Sequence, residues 1–157
     1  MKLSTSRYMA RNMSGMMNEA RRSLEGQMER LSRTNDDRFA DGFNELVAAL
    51  EASLRDEEAA MEALNYPALR SHREQHARAL GALHHAQPQV EGGDVALGRE
   101  ALELLPKWLL LHRSTMDLAL ASACRPLAER ARRQQDIGPA WALSARRAPY
   151  HRGQARV

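Results

Sequence analysis

The chain predicts an all-α fold of four long helices, packed so that chain neighbours run antiparallel. Three observations predict it. Aromatic residues make up only 4% of the 157 residues, while Ala, Leu, Arg, Glu and Met are plentiful, a composition of good helix formers. Apolar residues recur at three- and four-residue spacing over long stretches. The breaks between those stretches are short and rich in turn residues, and short links between long amphipathic helices leave antiparallel packing as the natural arrangement. With 43% hydrophobic residues, the length suffices for one four-helix core.

The first helix is predicted from about Tyr8 to Leu31, with Met13, Met17, Leu24, Met28 and Leu31 on one side. Asn35-Asp36-Asp37 ends the link and caps a second helix running from about Asp37 to Leu64. At about 1.5 Å per residue that helix is on the order of 40 Å long. Asn65-Tyr66-Pro67 is a tight turn into a third helix, from Pro67 to Ala86, and Gln87-Pro88 is expected to break it. Gly92-Gly93-Asp94 opens a fourth helix, from Val95 to Ala123, with Pro106 inside it as an expected kink. The bundle is thus expected over residues 1–123, followed by a basic tail over 124–157.

Several polar residues stand where such helices normally carry leucine. His72 and His76 are four apart within a stripe that continues through Leu80 and Leu83. Glu57 falls on the stripe Phe39, Phe43, Leu46, Leu50, Ser53, Glu57, Met61, and His112 follows Leu97, Ala101, Leu104, Leu105 and Trp108. Burying one such group unpaired costs roughly 1–3 kcal/mol or more, so several on inward faces need a common reason. A metal ion in the bundle core supplies one, since histidines at i and i+4 project side by side and carboxylates from facing helices complete the shell. His-x-x-x-His alone is weak; it gains specificity beside Glu57-Glu58-x-x-Met61, Asn65-Tyr66-Pro67 and Trp108-Leu109-x-x-His112-x-x-x-x-Asp117. Asp117 lies five residues after His112, about 140° around an ideal helix, so periodicity does not select it. Asp56 and Glu58 read as a solvated face, and His84, His85 and the methionines of the first helix read as ordinary surface or packing residues.

Taken together, these motifs resemble the bacterial hemerythrins over about residues 17–122. The resemblance implies an up-down four-helix bundle around a non-haem di-iron centre. It further implies that one iron takes three histidines, the other takes two, and a Glu and an Asp bridge them. Position by position, His72, His76 and His112 match the three-histidine iron, and Glu57 and Asp117 match the bridging carboxylates. The chain departs from the pattern at the second iron, where Arg21 and Ser53 stand in place of the two expected histidines. Since dioxygen in the family binds at that second iron, ordinary reversible oxygen carriage is not expected. Arg21 either turns inward, placing its guanidinium near Glu57 and Asp117, or reaches the surface beside Arg22. The inward alternative leaves a mononuclear site suited to Fe(II), Zn(II) or Mn(II).

The function expected is therefore hemerythrin-like metal binding, with iron as the leading metal and dioxygen as a possible small-molecule partner in sensing or storage. The alternative is a bundle that has lost its metal and serves as an interaction module. An enzyme is not expected, because no general base or cofactor motif is visible. A single cysteine, Cys124, excludes an intramolecular disulfide and fits a reducing compartment. There is no apolar run of about 18 residues and no secretory signal pattern, so a cytoplasmic protein without a membrane span is expected. Residues 125–157 carry eight Arg against Glu129 and Asp136, which makes the tail +6 within a chain of net charge +3. That segment, with His151 in it, has no helical stripe and reads as disordered. It lacks the aromatic pattern of a nucleic-acid binder, so no nucleic-acid partner is expected.

Overall fold

A computed structural model describes residues 2–120 and 122, with side chains from residue 15 onward. The tail, Cys124, His151 and the boundary near residue 123 lie outside the described residues. Four α-helices follow one another: α1 (Lys2–Ser32), α2 (Asp36–Ala63), α3 (Leu69–Glu91) and α4 (Val95–His112). A π-helical turn, Arg113–Asp117, continues α4, and no strand occurs among the described residues. Each helix packs on its chain neighbours, and α4 also meets α1 and α2, which closes the bundle.

The contacts fix the directions. At one end the C-terminus of α1 meets the N-terminus of α2, where a Cβ on Gly42 would stand 2.8 Å from Leu31. The same end joins the C-terminus of α3 to the N-terminus of α4, where Gly98 faces Phe39 and Val90. Arg99 of α4 bonds Asp36 and the Thr34 carbonyl across this end and lies 4.7 Å over the Phe39 ring. At the other end the last turns of α2 meet the first turns of α3, with Arg73 bonded to Glu58. The bundle is therefore up-down and antiparallel, as expected from its short links.

Two helix ends are closed by the same device. After α2, Asn65 takes a left-handed φ of 51°. The N–H of Tyr66 then bonds the Met61 carbonyl, and that of Asn65 bonds the Glu62 carbonyl. After α3, Gly93 has φ 102°, with Asp94 N–H on the Gln89 carbonyl and Gly93 N–H on the Val90 carbonyl. This is the Schellman pattern, which satisfies otherwise orphaned carbonyls. The expectation that Gln87-Pro88 ends α3 is thereby corrected: Pro88 is accommodated inside the helix, which runs on to Glu91. The apolar stripe explains why, since Ala86 and Val90 are buried beyond the break that was expected. Asn44 of α2 also holds this turn, accepting from Gln87 and donating to Glu91. Asn35 occupies the N-cap of α2 without a side-chain capping bond, whereas Asp94 caps α4 by accepting from Leu97 N–H.

The core is divided along the bundle axis. The larger part is built on Leu24, Phe39, Phe43, Leu50, Leu83 and Leu105, with Phe39 and Phe43 stacked at 6.0 Å. A smaller cluster of Ala60, Met61 and Leu120 caps the other end, with Met17, Tyr66 and Leu69 against it. On all four helices the stretch between the two parts carries polar residues: Arg21, Glu57, His72 with His76, and His112 with Asp117. No helix among the described residues is long and apolar enough to cross a membrane.

Gly98 is where the closed end is tightest, because an added Cβ would meet Phe39 at 2.6 Å and Val90 at 2.9 Å. Gly81, on an exposed helical face, has nothing within 4 Å. We expect Gly81→Ala to raise stability by about 0.5–1 kcal/mol through helix propensity. The same change at Gly98 should lower stability, since overpacking of about 1–3 kcal/mol exceeds that gain. Opposite shifts in thermal midpoint would be the expected result.

Candidate metal centre

His72 and His76 are adjacent on α3 and are 0% and 1% exposed; His112, at the end of α4, is 5% exposed. Their rings meet edge to face or tilted, with centroids 4.7–4.9 Å apart. Trp108, one turn before His112, stacks on its ring at 4.7 Å and holds its plane. The Nε2 atoms converge: that of His112 lies 3.0 Å from His72 and 3.1 Å from His76. Glu57 Oε1, from α2, is 3.0 Å from His72 Nε2. Donor atoms of Glu57, His72, His76 and His112 all lie within 4.8 Å of one another, a set able to hold a metal ion.

Asp117 joins the cluster through the backbone. Its Oδ1 lies 3.0 Å from His112 Nε2 and 3.4 Å from His72 Nε2. On a regular α-helix it would point away from His112, but residues 113–117 form a π turn in which Leu118 N–H bonds the Arg113 carbonyl. This i→i+5 bonding adds a residue to the turn and brings positions five apart near one face, a device common at functional sites. All five residues expected from the sequence are thus brought together.

One participant escaped the sequence reading. Glu58 is not part of a solvated face: its Oε1 lies 2.8 Å from His76 Nδ1, and its other oxygen accepts from Arg73 Nε at 3.1 Å. A carboxylate on Nδ1 fixes the tautomer that leaves Nε2 with a free lone pair, the usual support of a metal-binding histidine. Its only trace in the sequence was its place beside Glu57, on the flank of α2 that faces α3. His84 and His85 are exposed and take no part, His84 lying 3.5 Å from Glu51.

Of the two directions open to Arg21, the inward contact with Glu57 and Asp117 is not formed. Arg21 Nη1 instead donates to Glu25 one turn along α1, at 3.3 Å, although its buried Nε has no hydrogen-bond partner. Arg21 and Ser53 line a cavity of about 690 Å³ between α1, α2 and the end of α4, on the side of Glu57 and Asp117 away from α3.

Without a metal this cluster is poorly satisfied. Glu57 Oε1 and Asp117 Oδ1 are buried and, though about 3.0 Å from imidazole nitrogens, are not aligned for a regular hydrogen bond, and His72 Nδ1 is buried with no partner. Burial opposes the charged form of His72, yet the carboxylates of Asp117 and Glu57 outweigh it and push the pKa up to about 9. Burial likewise acts on Asp117, but His112 and His72 hold its carboxyl well below the usual range. His76 is pushed down by burial, against the pull of Glu58. One proton on His72 therefore serves several surrounding lone pairs, a role that a multivalent cation fills better.

The signs give a pH profile for chelator-treated protein. The stabilising contribution of protonated His72 is present below 6.5 and lost as pH rises toward about 9. His76, lowered from 6.5, acts oppositely: protonation favours the unfolded chain as pH falls below that value. Thermal midpoints of chelator-treated protein should therefore peak near neutral pH and decline on both sides. Removing the hydrogen bond with Glu58→Ala should weaken metal binding about 10–100-fold while leaving the fold intact, as read by metal competition and circular dichroism.

Comparison with known proteins agrees with this centre. Residues 11–124 match the family model described as the hemerythrin HHE cation binding domain. The chain is also 33% identical over 79 residues to a bacteriohemerythrin of Ralstonia nicotianae, a match covering 50% of this chain and 58% of that relative. No solved structure matches it significantly. A family model spanning most of the chain, over a bundle whose polar layer gathers the family's histidines and carboxylates, establishes that the chain belongs to the hemerythrin family.

Proposed function

We propose that the protein binds a single iron ion on His72, His76, His112, Glu57 and Asp117, and that it senses or stores iron or oxygen rather than carrying dioxygen reversibly. The observation that carries this reading is the convergence of the Nε2 atoms and two carboxylate oxygens at 3.0–3.4 Å. A set of three imidazole nitrogens and two carboxylate oxygens offers more donors than four-coordinate Zn(II) takes and suits Fe(II) or Mn(II).

Iron, when bound, supplies one-electron redox chemistry and affinity for small ligands such as dioxygen. The residues of this chain do the rest. Glu58 keeps His76 in the donating tautomer, Trp108 braces His112, and the apolar clusters above and below confine water's approach to the cavity side of the donor set. The restriction to one ion rests on Arg21 and Ser53, neither of which offers an imidazole to a second metal. A binding role rather than turnover is supported by the donor count, since three imidazoles and two carboxylates would leave little of an ion free for a substrate.

Elemental analysis of anaerobically purified protein, paired with thermal unfolding, tests this. About one iron per chain and a thermal midpoint that falls on chelation and returns with Fe(II) are expected. Two irons per chain would overturn the single-site reading. No metal uptake, with a midpoint indifferent to added Fe(II), would leave an interaction bundle. Loading at neutral pH should release a proton from His72, so apparent affinity should fall as pH drops below about 9.

A further inference from the structure

Among the described residues, the donor cluster is closed on every side but one. Apolar clusters bound it above and below, and α3 backs it, with Glu58 and Arg73 covering the Nδ1 side of His76. The three imidazoles are buried, whereas Glu57 and Asp117 keep 10% and 16% of their side chains exposed. Both carboxylates, and His112 with them, line the cavity of about 690 Å³ beside α1. A water molecule takes up about 30 Å³ in the liquid, so an ion carrying six waters fits within that space. Ser53 stands on the α2 wall where the resemblance calls for a histidine, so no imidazole narrows the approach there. Met16, Leu110 and Leu118, all exposed, mark where the cavity meets solvent.

The carboxylates stand between this space and the imidazoles. Glu57 Oε1 and Asp117 Oδ1 lie against the histidine nitrogens and have no solvent-accessible surface. The exposed part of each side chain is therefore not the oxygen that meets the imidazoles. The terminal torsion of a carboxylate is broad and nearly two-fold, so a half-turn exchanges its two oxygens at little cost. Each carboxylate can thus take an ion on the cavity side and turn it in to the histidines.

We propose that this cavity is the route by which a divalent metal ion reaches and leaves the cluster, passed inward by Glu57 and Asp117, so that the folded chain exchanges its metal without opening. The assignment rests on the metal reading above. The competing route is a transient opening of the bundle, which would expose the same donors from any side. The two routes differ in kinetics rather than affinity. A side chain that only narrows the route changes entry and exit by the same factor and leaves the dissociation constant alone, whereas loss of a ligand changes the constant.

The test is stopped-flow loading of the full-length protein with Co(II), followed by its visible absorption, and release of the bound ion into excess EDTA. Ser53→Phe, which narrows the cavity, is expected to slow loading and release alike by about tenfold, with an unchanged dissociation constant. Leu110→Trp, at the exposed mouth, should slow both rates in the same way but less, and it serves if Ser53→Phe fails to fold. Leu104→Trp, also exposed on α4 but off the cavity, should change neither rate. Rates unchanged in both cavity variants, or loading of the unaltered protein that accelerates in urea below the unfolding transition, would point to bundle opening and overturn the route alone. No uptake of Co(II) or Fe(II) by the unaltered protein would overturn the metal reading, and the route with it.

Discussion

The rest of the structure depends on one constraint, the burial of three imidazoles and two carboxylates in a single layer of a helical core. Each of those groups is costly to desolvate alone, and each is held within about hydrogen-bonding reach of another. The layer is bounded above and below by apolar clusters, so water reaches it only from the cavity beside α1. Four helices must then arrive in phase. The stripes of α2 and α3 deliver Glu57, His72 and His76 by ordinary helical spacing, while α4 needs an extra residue in its last turn to deliver Asp117 as well as His112.

The two ends of the bundle are built for different tasks. At the closed end Phe39, Phe43, Val90 and Gly98 interlock with no room for a methyl group, and Arg99 ties α4 to the α1–α2 link. That end supplies rigidity. Beside the polar layer a cavity lies between α1 and the carboxylates Glu57 and Asp117, and Arg21 pairs along its own helix with Glu25. The result is an asymmetric site: dense with donors toward α3 and α4, open and mostly apolar toward α1.

Support for the donor cluster comes from outside it. Arg73 bonds Glu58, Glu58 bonds His76, and Trp108 stacks on His112, so two of the three imidazoles are fixed in orientation by residues that would touch no metal. His72 has no such brace on Nδ1; its position comes from the carboxylates on its other nitrogen.

Much of this was readable in the amino-acid sequence, because helical spacing is local. The stripes placed Glu57, His72, His76 and His112 on inward faces, the turn residues at 35–37, 65–67 and 92–94 marked the links, and the motifs named the family. What the sequence did not determine depended on partners distant in the chain. Pro88 signals a break, yet the burial of Val90 against the closed end and the bonds from Asn44 carry α3 past it. Asp117 is out of phase until a π turn rephases it, and Glu58 is one more surface acid until α3 packs against it. Arg21 had two plausible directions, and only the packing of α1 against α2 and α4 chose between them. Local spacing sets which face a residue occupies; which atom it then touches is decided by the helices packed against that face.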